Sequence, residues 1–197
     1  MTQTSFIPPA GISNENDEWY TPPWVFEAIG VTFDLDPCSP GSPPSNVPAH
    51  RHMTKAENGL AATWAGHVWL NPPFSSKRDW YAKLVKHGDG IALMPARTET
   101  HDLQDYMSAA DALLFLKGRI YFHRGSAPGA NGLNGVTSTP PFGIVLCAYG
   151  DRMADALMNS KLMGVRANVV HKQPLNGRDG LASVPAGSIA GGRGRGG

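Results

Sequence analysis

The sequence predicts an α/β domain built on a doubly wound, mostly parallel sheet, and three observations carry that prediction. Several short runs are continuously apolar, as strands covered on both faces are: "GIALMP" from 90, "DALLFL" from 111 and "FGIVLCAY" from 142. Other stretches repeat apolar residues at intervals of three and four, the period of a helix with one buried face. The two kinds alternate along the chain, which is the pattern of strand–helix–strand units. Ligands of such sheets gather outside the carboxyl ends of the strands, so the residues where strands stop are the ones to read for chemistry.

Taken in order, residues 1–16 are polar and aperiodic and read as a flexible arm. The domain is expected over 17–171. It opens with "TPPWVFEAIG", where Thr21 is placed to cap a helix, Pro22 suits the first helical position, and Gly30 stops it. "VTFDLD" follows as a strand ending at Asp36, broken by the proline-rich "PCSPGSPPSNVP". "HVWL" is a buried strand running into Asn71. Ser76 then caps a helix carrying Trp80, Tyr81, Leu84 and Val85, and Thr100 caps another with Leu103, Tyr106, Met107 and Ala110. "RIYF" from 119 reads as a strand, and a last helix is expected from about Asp151 to Gly164. Residues 172–197, ending in "GGRGRGG", are too poor in apolar residues to order themselves and form a tail.

Composition narrows the classes. A chain of 197 residues is the size of one domain. Its 17 Lys+Arg against 16 Asp+Glu leave a net charge of +1, so any site for a polyanion must be local. Two distant cysteines, with no secretory signal and no long apolar run, predict a soluble protein of a reducing, cytoplasmic compartment with no membrane span. His50 and His52 are neighbours, but no cysteine or acidic cluster completes a zinc set, so no metal is expected.

Three strand ends carry polar groups among prolines or small residues: Asp36-Pro37, Asn71-Pro72-Pro73-Phe74 and Pro95-Ala96-Arg97. The two prolines hold Asn71 and Pro72 extended. The Asn71 side-chain oxygen and the Pro72 carbonyl are then two fixed acceptors, able to grip both hydrogens of an amino group, and Phe74 offers a face for a flat ring. Asn-Pro is also an ordinary turn starter; the four-residue combination at a buried strand end favours the clamp. Asp36 suits the amino or hydroxyl groups of a small cofactor, although a lone turn aspartate would look the same. Cys38 has no basic neighbour in sequence and reads as structural rather than nucleophilic. Between 112 and 150 there is no Asp or Glu, while Lys117, Arg119 and Arg124 supply positive charge beside His123 and a long glycine-rich loop. That interval, with Arg97, could follow a phosphate backbone; a solvated surface hairpin would read the same way.

With Thr21-Pro22-Pro23, Asp36-Pro37-Cys38 and Asn71-Pro72-Pro73-Phe74 in that order, the chain resembles S-adenosylmethionine-dependent amino-methyltransferases. More closely, "EWYTPPWVFEAI", "FDLDPCS", "GLAATWAGHVWLNPPF", "GIALMPART" and "ADALLFLKGRIYF" resemble the phage-type DNA N6-adenine methyltransferase (Dam) family. The resemblance implies a Rossmann-like methyltransferase fold and methyl transfer from S-adenosylmethionine to N6 of a flipped-out adenine in double-stranded DNA. It implies that Thr21 and Pro22 line the methionine end of the cofactor, and that Asp36, Pro37 and Cys38 hold its amino-acid or sugar portion. Asn71 and Pro72 would take the target amine, Pro73 would keep them rigid, and Phe74 would stack the base. Two features depart from the pattern: Pro40-Gly41 stands where a glycine-rich turn is common, and Phe74 where tyrosine is. The same clamp also suits cytosine N4 or a protein glutamine amide, and a non-catalytic nucleic-acid-binding protein could keep the scaffold.

Overall fold

The computed structural model describes residues 19–39, 41, 45–73, 75–124 and 136–170. The expected arm 1–16, the tail 172–197, the loop 125–135, Pro40 and Phe74 lie outside the described residues. Along the chain run β1 (Trp19–Tyr20), α1 (Pro23–Ile29), β2 (Phe33–Asp36), β3 (Ala49–His52), β4 (Val68–Leu70), α2 (Lys77–His87), β5 (Gly90–Pro95) and α3 (His101–Ser108). They are followed by β6 (Ala112–Leu116), β7 (Phe122–Arg124), β8 (Val136–Ser138), β9 (Ile144–Tyr149), α4 (Asp151–Met158) and β10 (Gly164–Asn168).

Seven strands form one sheet in the order β10-β6-β9-β5-β4-β2-β3, and β1, β7 and β8 form a small antiparallel sheet. β3, β2, β4 and β5 pair in parallel. β9 is antiparallel to both β5 and β6, so β6 points with β5, and β10 runs against β6. Five of the seven strands therefore share a direction, but the sheet is mixed rather than simply parallel. The cause is the connection. A parallel return needs a crossover, usually a helix, and no helix separates β6 from β9 among the described residues; the chain makes the β7–β8 excursion and comes back down the sheet.

The central strands are apolar on both sides because both sides are covered. On one face Trp69, Ile91, Leu93, Ala112, Leu114, Leu146 and Ala148 pack with Val25, Phe26 and Ile29 of α1 and Met153 and Leu157 of α4. On the other, Val68, Leu70, Ala92, Met94, Val145 and Cys147 pack with Tyr81 and Leu84 of α2 and Leu103, Tyr106 and Met107 of α3. Trp69 meets Phe26 edge to face at 4.8 Å between centroids, a contact worth about 0.5–1.5 kcal/mol beyond burial. This fixes α1 against β4 two residues before Asn71.

β2 carries an irregularity that no pattern announced. The backbone N–H groups of Asp34 and Leu35 both donate to the His67 carbonyl, at 2.7 and 3.2 Å, so two residues oppose one. This bulge sends Phe33 to the first face and Leu35 to the second, although regular alternation would keep them together. Asp36, next in line, is re-aimed with it. The Asp34 carboxylate accepts the His67 N–H at 2.7 Å and packs on Gly66, whose φ of +69 and lack of a β-carbon make room for it.

Three expected boundaries move. α1 begins at Pro23, with Pro22 in the cap position and no side-chain cap, because the Thr21 hydroxyl is engaged elsewhere. The strand read from Arg119 begins at Phe122. The last helix ends at Met158 rather than Gly164. There the side chains of Asn159 and Ser160 bond back to the carbonyls of Asp155 and Leu157, and Gly164 opens β10 instead.

Candidate active site

β2, β4, β5 and β6 end on the same edge of the sheet, so Asp36, Asn71, Arg97 and Lys117 leave that edge in lateral order. At about 4.8 Å per strand step, the β4 and β6 ends are about 14 Å apart, with Asn71 flanked by Asp36 on one side and the cations on the other.

Asn71 follows Leu70 and precedes two prolines, which leave it no helical conformation to adopt. Its side-chain Nδ2 donates to the Trp19 carbonyl at 2.6 Å and to Thr21 Oγ1 at 3.2 Å. A carbonyl can only accept, so the nitrogen must face β1, and the amide orientation is decided by its partners. Its Oδ1 is buried and has no hydrogen-bond partner among the described residues. A buried acceptor left unpaired costs about 1–3 kcal/mol and marks a site where a donor belongs. Pro72 is buried beside it.

Asp36, only 3% exposed, organises the loop that follows it. One carboxylate oxygen accepts the Cys38 N–H at 3.2 Å; the other meets Ser45 Oγ at 2.9 Å and His52 Nδ1 at 3.3 Å. Three of the carboxylate's roughly four acceptor positions are thus taken by described residues. The hydrogen bond to Asp36 raises the His52 pKa above its ordinary value, outweighing the lowering effect of burial. Burial, with the Asp36 charge added, pushes the Cys38 thiol well above its ordinary pKa, so it stays protonated and is a poor nucleophile. Pro37 closes tightly on Gly59, where any β-carbon would overlap the Pro37 carbonyl. Across the crevice, Asn46 Nδ2 donates to the Thr21 carbonyl at 2.6 Å. Asp36, Asn46, Thr21 and Asn71 are thus joined in one region, and from Pro37 to Val47 the sequence has no lysine or arginine.

The residues expected to meet nucleic acid are spread more widely. Arg97 lies over the Phe142 ring, 5.5 Å from its centroid, and borders a cleft of about 160 Å³ shared with Lys77, Arg78, Pro95, Thr100 and Tyr106. Arg78 in that cleft pairs with Asp102. Lys117 is exposed at the end of β6, and Arg119 donates to the Pro140 carbonyl. His123 is only 7% exposed and its Nδ1 has no partner among the described residues, so it is an interior residue of the small sheet rather than part of an exposed rim. Arg124 pairs with Trp19 and Val136 along the backbone. Among the described residues there is no group of three or more histidine, cysteine or acidic side chains placed to hold a metal, and no helix is long and apolar enough to cross a membrane.

The sequence did not single out Ser45, Asn46 or His52 as parts of this region, nor the Trp19 carbonyl. The first three lie in or just after a loop whose prolines dominate its pattern, and a backbone carbonyl has no signature in sequence.

A buried amide oxygen at the carboxyl edge of a mixed α/β sheet, next to a buried aspartate, places an α/β protein's polar strand ends side by side. The model of the DNA N-6-adenine-methyltransferase (Dam) family matches residues 11–139, and the chain belongs to that family. The matched segment spans β1 through β8, with both X-Pro-Pro units and Asp36 inside it. No curated protein and no solved structure shows a significant match to the chain.

Proposed function

We propose that this protein transfers a methyl group from S-adenosylmethionine to N6 of an adenine flipped out of double-stranded DNA, on a doubly wound, Rossmann-like methyltransferase scaffold. The observation that carries the reading is the buried Oδ1 of Asn71, without a partner among the described residues and turned away from β1 by the bonds its nitrogen makes there. Family membership supplies the substrate class.

The residues present fit the cofactor by their chemistry. Its methionine end carries positive charge, and the segment from Asp36 onward offers a buried carboxylate, a protonated thiol and no lysine or arginine between 37 and 47. Pro22, Asp36, Pro37 and Cys38 are the residues that would hold it. Bound there, S-adenosylmethionine supplies an electrophilic methyl group.

The chain's own part is to prepare the amine. The N6 lone pair of adenine is delocalised into the ring and reacts poorly. Asn71 Oδ1 and the Pro72 carbonyl accept its two hydrogens, favouring a tetrahedral nitrogen whose lone pair is free to attack. Pro73 keeps the two acceptors in register, and Phe74 stacks the base. Alignment does much of the work, and no covalent intermediate with the protein is needed. Extruding the base costs about a few kcal/mol, which Arg97, Lys117, Arg119, Arg124 and the hairpin loop offset by holding the phosphate backbone. His123, being buried, is left without a role in holding that backbone.

The test incubates the protein with methyl-labelled S-adenosylmethionine and unmethylated DNA and digests the DNA to nucleosides. Label in N6-methyladenine is expected, and Asn71→Ala should abolish it while S-adenosylmethionine still binds. Label in N4-methylcytosine or in protein, or no transfer by folded protein, refutes the proposal.

A further inference from the structure

We infer that Thr21 is a positioning residue: its hydroxyl, acting with the Trp19 carbonyl, turns the Asn71 amide so that oxygen rather than nitrogen meets the substrate amine. The inference rests on the methyl-transfer reading above and assigns Thr21 a part in the catalytic clamp instead of the cofactor pocket.

An amide side chain has two ends of nearly the same size and opposite hydrogen-bonding character. Only one orientation of Asn71 can accept from an amine. The Trp19 carbonyl, 2.6 Å from Nδ2, decides between them because an oxygen in that place would face another oxygen. One bond still lets the amide swing about it. The second, to Thr21 Oγ1 at 3.2 Å, uses the other Nδ2 hydrogen and fixes the plane. With both hydrogens donated the amide is polarised, and its oxygen becomes the stronger acceptor.

Thr21 is itself held on every side. It is 3% exposed, and its carbonyl accepts from Asn46 Nδ2 at 2.6 Å. Pro22 and Pro23 follow it, as Pro72 and Pro73 follow Asn71. The residue before a proline is confined to extended backbone, so two X-Pro-Pro units, 50 positions apart, meet through the side chains of their first residues. One unit fixes the donor end of the amide and the other carries it. This also explains why Thr21 does not cap α1: its hydroxyl points to β4, and the helix starts without a side-chain cap.

The experiment uses the full chain as wild type, Thr21→Val and Thr21→Ser. It measures single-turnover methylation of DNA, S-adenosylmethionine affinity by calorimetry, and hydrogen exchange of the Asn71 side-chain amide by NMR. Thr21→Val should slow methyl transfer about tenfold and speed amide exchange by about the same factor, the scale of one lost hydrogen bond, while cofactor affinity changes less than about twofold. Thr21→Ser should restore both rates. Thr21→Ala adds no bulk and carries the same expectation as valine should that variant fail to fold. A Thr21→Val protein with wild-type transfer and exchange overturns the inference, as does one whose only loss is cofactor affinity. If the wild type methylates no adenine, the functional reading fails instead; the exchange measurement needs no substrate and still decides the role of Thr21.

Discussion

Replacing Asn71 by aspartate exchanges one nitrogen for an oxygen and removes both hydrogens that tie this side chain to β1. In the wild type Nδ2 gives one hydrogen to the Trp19 carbonyl and one to Thr21 Oγ1. A carboxylate has none to give. The Thr21 hydroxyl can rotate and donate instead, recovering one bond, but the Trp19 carbonyl is fixed and now faces an oxygen. The variant therefore loses the bond to Trp19, about 1 kcal/mol, and sets two oxygens against each other where a donor met an acceptor. Protonating the introduced carboxylate repairs the damage, because the carboxylic acid can donate to Trp19. Its folded-state pKa is therefore raised above the unfolded value. Stability is retained below the unfolded pKa, about 3.9, and lost as pH rises through the folded one. Urea unfolding of Asn71→Asp and wild type at pH 4.5, 6 and 8 should show a gap that widens with pH and then levels. Asn71→Ala, which cannot titrate, should show a constant gap. An Asn71→Asp protein as stable as wild type at pH 8, or a gap independent of pH, would mean that the nitrogen does not face β1.

The same geometry governs three other perturbations. The bond to Asp36 raises the His52 pKa, so the stability it contributes is complete below about pH 6.5 and fades as pH rises through the higher folded value. His52→Gln should flatten the stability profile above that pH in urea titrations; an unchanged slope would refute the linkage. Arg97→Ala should weaken DNA binding alike across sequences and lower the slope of log K against log salt by about 1, as loss of one phosphate contact does. An unchanged slope would remove Arg97 from the DNA face. Cys38→Ser should keep methyl transfer within about threefold of wild type, a change of under about 1 kcal/mol, because a protonated, part-buried thiol has no nucleophilic task; complete loss would point to a covalent route through that sulfur.

Much of the fold was legible in the sequence, for local reasons. β5 matches its expected bounds because a continuous apolar run stopped by charge and proline has few other readings. The α2 and α3 starts coincide with Ser76 and Thr100, although neither side chain makes a capping bond to its helix. What escaped was non-local or polar. β3 is "AHRH" and β10 is "GVRAN", strands held at sheet margins by their neighbours' backbones rather than by their own side chains. The bulge at Asp34 depends on a carbonyl 33 residues away at His67. For the site, Asn71-Pro72-Pro73 was readable as a stiff end to a buried strand, but its link to Thr21 was not, since the usual meaning of Thr-Pro before an apolar run is a helix start.

β1 is two residues long, and its partner β7 lies about a hundred residues later in the chain. Short edge strands are the first segments to open and the last to close, because long loops must be closed before their contacts form. The proposed clamp thus hangs on a short edge strand: opening β1 would release the Asn71 amide while the main sheet, with Trp69 buried in it, stays intact. Catalytic competence should have its own, lower denaturation midpoint. In a urea series, methyl transfer is expected to fall before the fluorescence of the buried tryptophans changes, and ligands that clamp β1 to β4 should draw the two transitions together.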